Sequence, residues 1–448
     1  MIEQQILEEK LNRLSIALVE KYNISPDAAV EKLKSFNLTL ICGDEIANSV
    51  ALQSALVTSI NTGRRAFLGG VFVKMNPNVL SLLPWPTNSL NEIVKDLGAI
   101  EWNEKLPSTS FTLTFGIKAE NYDTLEVVCN GWQGGVKAFN DDFDLINDND
   151  FCLGGVLGGG IGVGLAFLKV AGLDKFASDK SVGLSLWRPD LNWLDNLSYG
   201  PQLLYLPKKI WLLALGHLGQ ANVWTIGLLP FQNSKDVTIY LQDFDSIVEA
   251  NKSAGLLSYD TNIGQKKTRV CSDWLEGRGF KTAIIERAFD DNTIRNSDEE
   301  PEILIAGLDS EVSRRSLQMN RFCCIIDSGL GGTLSNFDSI TIHNFPAYKK
   351  NPKEIWDATP KNKIEHANLK SQLDEMNACG VLAEKAISSS FVGVISSTIT
   401  LSEILRGYNN GIKIEKLSVS VRNLSECKVI AAGNFTTELF ANKYVNVA

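Results

Sequence analysis

The sequence predicts an α/β chain of two tandem domains, the first a decayed relative of the second. Three observations carry this. Short apolar runs of strand length alternate with stretches of helical spacing, the pattern of strand–helix–strand units. The alternation starts near Asn37 and again near Lys209, each time with a strand that runs into a turn and a helix. Between the two starts lies Leu197-Ser198-Tyr199-Gly200-Pro201, a turn-rich stretch that interrupts the pattern. The 448 residues leave room for about two to four domains at roughly 100–200 residues each. The expected division is a helical segment over 1–35, a first domain over 36–200 and a second over 203–448.

In the first segment Leu7, Leu11, Leu14 and Leu18 recur at helical spacing among charges. Residues 37–42 read as a strand, 45–59 as a helix that Asp44 would cap, and 66–75 as a second strand. Strands follow at 110–117 and 125–129, then a helix at about 157–173. The run from Gly158 to Gly164 reads as a helix packed closely on a sheet, because no strand leads into it and no Lys-Ser/Thr follows, as a phosphate loop would need. In the second half an apolar strand at 209–215 enters a glycine turn and a helix. Strands are expected at 237–241, 282–286, 302–307, 321–326 and 339–343. A charged segment, 348–370, precedes a long helix over 379–406 and closing strands at 416–421 and 428–432.

Composition narrows the function. Lys and Arg number 43 against 52 Asp and Glu, a net charge of −9 with no long basic run, so sequence-independent nucleic-acid binding is not expected. At 44% hydrophobic and 21% charged residues the chain has ordinary globular usage. The three histidines, His217, His343 and His366, lie in unrelated settings and suggest neither a histidine-rich metal site nor a Ser-His-Asp triad. The eight cysteines contain no C-x-x-C pair, only adjacent Cys323 and Cys324, so no structural zinc is expected. The N-terminus lacks a signal pattern, and Gly216, Gly219, Gly227 and Pro230 break the longest uncharged stretch. A cytoplasmic chain with reduced thiols and no membrane partner is expected.

The chemistry-bearing residues begin at Ala214-Leu215-Gly216-His217-Leu218-Gly219, between a strand and a helix. Glycines there let backbone approach a phosphate, and the helix N-terminus offers amides and a positive dipole end. Alanine in the first glycine place weakens the fingerprint and leaves a plain strand-to-helix turn as the alternative. The next strand ends in Asp243-Phe244-Asp245, at the distance where a Rossmann-like domain holds ribose hydroxyls; the alternative is an acidic strand-end turn. The block continues Ser246-Ile247-Val248-Glu249-Ala250-Asn251, then Asn262-Ile263-Gly264-Gln265-Lys266-Lys267. Further on comes Leu304-Ile305-Ala306-Gly307-Leu308-Asp309-Ser310-Glu311-Val312-Ser313-Arg314.

In order and spacing, over about 203–410, these blocks resemble the ThiF/MoeB/E1 superfamily, adenylating enzymes that activate ubiquitin-like and sulfur-carrier proteins. The resemblance implies two Rossmann-like adenylation domains of ThiF type, the N-terminal inactive and the C-terminal active, with ATP and Mg²⁺ as cofactors. It implies that Gly216 and Gly219 approach ATP, that Asp243 holds the ribose with Asp245 in the same nucleotide-binding block, and that Asn251 and Lys267 contact phosphates. It further implies that Asp309 holds Mg²⁺ and that Arg314 supports it. Cations and metal at those places suit a carboxylate attacking an α-phosphate. Standing alone, Lys267 would read as a solvated helix lysine and Arg314 as a surface ion pair. One departure is plain: where the family continues Leu-Asn-Arg-Gln after its asparagine, with the arginine on phosphate, this chain has Lys252-Ser253-Ala254-Gly255, and an ammonium does not reproduce a bidentate guanidinium.

Asn377-Ala378-Cys379-Gly380 precedes the late helix, similar to the thioester-cysteine position of E1 enzymes without an inserted cysteine domain. Cys379 is therefore the candidate nucleophile, its pKa depressed by the helix start; a small buried thiol is the alternative. In the first domain, Leu40-Ile41-Cys42-Gly43-Asp44-Glu45 occupies the strand-to-helix turn but lacks the later glycines, and neither acidic nor lysine block follows. The family draws an arginine finger from the opposite domain, for which Arg13, Arg64 and Arg65 are equal candidates. The implied partners are a ubiquitin-like protein and an E2-like conjugating protein, with a homodimer as a further possibility. Tandem domains with no fused E2 module resemble the activating enzymes of Bil-type bacterial antiphage operons. Two other readings stand beside this one: adenylation of a sulfur carrier or peptide without a thioester, and a non-catalytic scaffold for a ubiquitin-like protein. A dinucleotide oxidoreductase explains the glycine turn and the acid but not the later blocks.

Overall fold

The computed structural model describes residues 12–102, 110–145, 150–290, 293–317, 321–347, 350–357, 364–375, 384–434 and 443–447. Helices α1 (Ser15–Tyr22) and α2 (Pro26–Lys34) lead into β1 (Leu38–Cys42). Ser25 caps α2 and Pro26 opens it, as the fixed φ of proline favours. There follow α3 (Val50–Ala66), β2 (Val71–Lys74), α4 (Leu90–Asp96), β3 (Ile100–Glu101), β4 (Phe111–Phe115), β5 (Thr124–Asn130), β6 (Gln133–Ala138), α5 (Cys152–Val170) and β7 (Val182–Ser185). The sheet runs β3-β2-β1-β4-β5-β6-β7, parallel through β5 and antiparallel beyond it.

The second half repeats this plan. Its elements are β8 (Tyr205–Pro207), β9 (Lys209–Leu213), α6 (His217–Leu228), β10 (Thr238–Gln242), α7 (Lys267–Glu276), β11 (Lys281–Ile285), β12 (Ile303–Ala306), α8 (Glu311–Arg315) and β13 (Cys324–Leu330). After β14 (Ser339–Phe345) come α9 (Pro352–Asp357), α10 (Ala367–Glu375), α11 (Ser390–Tyr408), β15 (Ile412–Ser420), β16 (Asn423–Asn434) and β17 (Tyr444–Asn446). The large sheet runs β11-β10-β9-β12-β13-β14-β15-β16. In both sheets the first strand sits between the second and the fourth, and five parallel strands give way to antiparallel ones. In both, a helix of 19 residues joins the sixth strand to the seventh: α5 in one, α11 in the other.

These helices, with α3 and α6, form the seam between the halves, and one continuous apolar core runs across it. α5 is long and apolar enough to cross a bilayer, with hydropathy 1.7, and 89% of it is buried inside the fold. Its glycines admit backbone at that distance: a Cβ on Gly155 would lie 1.9 Å from the Ala51 carbonyl oxygen of α3, and one on Gly160 would lie 2.6 Å from Val394 of α11. The Gly158–Gly164 run is thus part of a packed helix, as its sequence context indicates.

Several expected boundaries move. Asp44 opens a short 3₁₀ turn, Asp44–Ala47, and Ser49 rather than Asp44 caps the helix, its hydroxyl accepting from the Leu52 N–H at 3.1 Å. α3 then runs on to Ala66, and the Gly69-Gly70 turn, with Gly70 at φ +120°, delays the next strand to Val71. α5 starts at Cys152, five residues before the expected 157, because its glycines are packed against neighbouring backbone and do not end it. Strands β6 and β7 were not expected: Gly134 and Gly135 interrupt the side-chain alternation of the one, and the other spans 4 residues. In the described chain the late helix begins at Ser390 rather than 379, and residues 376–383, with Cys379, lie outside the described residues.

Candidate active site

Because β9 lies between β10 and β12, the connections from β9 and β12 leave in opposite directions and a crevice opens at the carboxyl ends of these strands, where open α/β sheets bind ligands. The glycine turn lines it. Ala214, in the place of the fingerprint's first glycine, sits at φ +66°, in the left-handed region glycine favours. A Cβ on Gly216 would meet nothing within 4 Å, whereas one on Gly219 would lie 2.1 Å from the Ala214 carbonyl oxygen. Gly216 faces open space and Gly219 holds the turn against its own helix. No side chain caps α6. Its N-terminal amides and dipole are therefore directed into the crevice.

The equivalent helix of the first half is closed. The exposed Asp150 carboxylate accepts from the Val50 N–H at 2.8 Å, the Ala51 N–H at 3.0 Å and the Ser49 hydroxyl at 2.9 Å, filling the N-terminus of α3 with the chain's own anion. Nothing local to either segment announces this contact, which spans about 100 residues.

Asp243, buried at 8% exposure, accepts from the Leu215 N–H at 2.6 Å and the Asp245 N–H at 2.8 Å, so its carboxylate ties the glycine turn to the end of β10. Asp245 pairs with Lys267 at 2.8 Å, and its carbonyl accepts from the Lys267 N–H at 3.1 Å. Lys267 is itself 8% exposed. It is a buried, paired cation at the start of α7, unlike a solvated helix lysine. Asn251 accepts from the Val248 N–H at 3.0 Å and so shapes the 3₁₀ turn Glu249–Ser253. Lys252, two residues before the Ala254 that stands at the place of the family's phosphate arginine, is held in ion pairs by Glu249 and Asp260.

Across the crevice, Asp309 is exposed in the loop after β12, with no hydrogen bond or ion pair to any described residue. Arg314 on α8 lies 3.3 Å from the buried Asp327 of β13, donates to the Ser328 carbonyl at 3.1 Å and stands over the Trp356 ring at 5.9 Å. Burial pushes the Asp327 carboxyl up to about 6, against the pull of Arg314. The structure thus joins Gly216, Gly219, Asp243, Asp245 and Lys267 through the glycine turn and the end of β10, with Asn251 on the following turn and Asp309 and Arg314 beyond β12. Mg-ATP fits this donor set. The open end of α6 and Lys267 suit phosphate, and the unpaired Asp309 suits a hard cation.

The arginine candidates now differ. Arg65 is 4% exposed and its guanidinium is taken up by carbonyls of the second half, at Gly255 (3.0 Å), Leu256 (2.9 Å) and Ser258 (3.4 Å). It is not available as a mobile finger. Arg64 donates to the Leu97 carbonyl at 2.8 Å and stacks over Tyr259 at 4.9 Å, on a cleft of about 350 Å³ between the halves that Asn12, Lys252 and Asp260 also line. Arg13 is half-buried. Sequence reasoning missed Asp150, Asp327 and Gln220. The last donates to the Leu215 carbonyl at 3.2 Å and accepts from the Leu257 N–H at 2.9 Å, linking the glycine turn to the loop beyond Asn251.

A chain of two Rossmann-like halves, one with an open glycine turn and one with that turn filled, has the architecture of an E1-like protein. The chain belongs to the BilD family: residues 37–186 match the BilD N-terminal domain and residues 206–411 the BilD C-terminal domain. It is similar to the bacterial E1-like protein BilD of Collimonas sp. (strain OK412), at 35% identity over 414 residues, covering 90% of this chain and 89% of that protein. Among solved structures, E. coli MccB with succinimide is 14% identical and covers 71% of this chain and 97% of its own, with a TM-score of 0.33. PaaA is 13% identical, covering 51% and 64%, also at 0.33. Scores of that size are too low to equate the folds.

Proposed function

We propose that the chain is an E1-like activating enzyme that uses Mg-ATP to adenylate the C-terminal carboxylate of a ubiquitin-like protein and passes it to Cys379 as a thioester for an E2-like partner, in the cytoplasm. One contrast carries the reading: the helix N-terminus beside Gly216 is open, while its counterpart in the first half is filled by Asp150. The second domain is the active one and the first is inactive. The carboxylate oxygen attacks the α-phosphorus and pyrophosphate leaves with the electron pair of the broken P–O bond. The α6 amides and Lys267 would hold the phosphates and Asp243 the ribose. Mg²⁺ on Asp309 would neutralise charge on the transferring group. The Cys379 thiolate then attacks the acyl carbon and AMP departs, which preserves the activation in a form a second thiol accepts. Pyrophosphate exchange that needs the cognate ubiquitin-like protein is expected, and it is lost in Asp309→Ala. Exchange that persists at the parent rate in Asp309→Ala removes the site assignment.

A second reading, a non-catalytic scaffold, draws on Ala254, which stands where the family has a phosphate arginine, and on the nearby Lys252, already held by two carboxylates. Absence of ATP binding by calorimetry, with retained binding of the ubiquitin-like protein, selects it. If adenylation occurs but a Cys379→Ala chain still delivers product, the product is a sulfur-carrier or peptide adduct made without a thioester on this chain.

A further inference from the structure

We propose that Arg65, from the first half, is a positioning residue for the nucleotide site of the second half, clamping the 255–258 loop and through it the glycine turn. The proposal rests on the adenylation reading above. The guanidinium is saturated: Nε donates to Gly255 O at 3.0 Å, Nη2 to Leu256 O at 2.9 Å and Ser258 O at 3.4 Å, and Nη1 to Asn61 O at 2.6 Å and Asn61 Oδ1 at 2.5 Å. Asn61 itself donates to Leu256 O at 3.2 Å, and the Tyr259 ring lies 5.5 Å from the guanidinium. Three carbonyls within four residues, those of Gly255, Leu256 and Ser258, turned toward one buried cation fix the path of that loop in a way that a neutral side chain does not. Burial lowers the arginine only to about 10, so the charge persists at neutral pH.

The loop is gripped from the other side by Gln220, whose Oε1 accepts from the Leu257 N–H at 2.9 Å and the Ser258 hydroxyl at 3.1 Å while its Nε2 donates to the Leu215 carbonyl at 3.2 Å. The Leu215 N–H is bound to Asp243 at 2.6 Å, and the Asn251 carbonyl accepts from the Gly255 N–H at 2.8 Å. A continuous hydrogen-bonded path therefore runs from Arg65 to the loop, to Gln220, to the glycine turn, to the ribose-side carboxylate, with a branch to Asn251. The half that is closed to nucleotide shapes the half that is open. Lysine cannot make this set of contacts, because it lacks the planar fork of donors.

Arg65→Lys tests this in the full chain, by pyrophosphate exchange and by hydrogen exchange of the 255–258 and Leu215 amides. Unfolding followed by fluorescence of Trp85, Trp224 and Trp274, which cluster at the seam, reports the fold. The expected result is a cooperatively folding variant whose KM for ATP rises about tenfold, with kcat changed by less than about threefold, and whose Leu257 and Leu215 amides exchange faster. Asn61→Ala, milder at the same clamp, moves both readouts in the same direction and carries the test if Arg65→Lys does not fold. Unchanged KM and unchanged amide exchange in a folded variant overturn the clamp. If the parent chain shows no pyrophosphate exchange, the adenylation reading fails, and the amides alone decide: faster exchange upholds the mechanical link, unchanged exchange overturns it.

Discussion

Gly216 and Gly219 lie three residues apart in one turn, and alanine at each is expected to fail for a different reason. A Cβ at Gly216 meets no atom within 4 Å, but the backbone there, at φ −75° and ψ −142°, lies outside the regions that L-residues ordinarily populate. Gly216→Ala therefore meets no packing clash but costs on the order of 1 kcal/mol or more in backbone strain. The added methyl stands in the space through which a phosphate would approach, and ATP affinity is expected to fall about tenfold or more. At Gly219 the methyl carbon would sit 2.1 Å from the Ala214 carbonyl oxygen and 2.9 Å from its carbonyl carbon, and both are backbone atoms with nowhere to rotate. The turn must move, at about 1–3 kcal/mol by the scale of overpacked cores. Urea unfolding followed by tryptophan fluorescence reads the first quantity and calorimetric ATP titration the second. A stable Gly219→Ala, or a Gly216→Ala that binds ATP like the parent, refutes the division of labour.

Asp150→Ala is expected to cost about 0.5–2 kcal/mol, the range for a lost helix cap, with pyrophosphate exchange unaffected, because the carboxylate serves only the first half. The pH dependence has a definite sign. Burial pushes His217 down to about 4, against a hydrogen bond to the Ser389 backbone, and it pushes His343 down to about 4 with help from Lys416 and Arg314. Both folded values lie below the usual ~6.5, so the unfolded chain takes up the proton first. The stability they provide is full above about pH 6.5 and is lost as pH falls toward 4, on the order of 2–3 kcal/mol for His217. Denaturant midpoints measured across that window are expected to fall less steeply in His217→Gln and in His343→Gln than in the parent.

The tandem plan was readable because strand runs and the turns after them are local features: Leu38–Cys42 and Lys209–Leu213 both stand out as apolar runs ahead of a turn. So were the blocks at Asp243, Lys267 and Asp309, whose residue types and order survive without any knowledge of contacts. What escaped was long-range or lacked a pattern. Gln133–Ala138 carries two glycines in place of alternating side chains. The grip of Arg65 on Gly255 spans 190 residues, and that of Asp150 on Val50 spans 100. No spacing rule connects partners so far apart in the chain. Lys267 marks the boundary between the two cases. Its block pointed to phosphate, but that it is buried and paired with Asp245 is a property of the folded strand end.

The glycine-lined approach of Cys152–Val170 to Ser390–Tyr408 also sets an order of events at the ribosome. Roughly 220 residues separate the two helices, and at about 5–20 residues per second the first waits some ten to forty seconds for its cover. During that interval a helix of bilayer-like hydropathy, destined to be 89% buried, has one face without its partner. The first half therefore completes its apolar core only once Ser390–Tyr408 has been made.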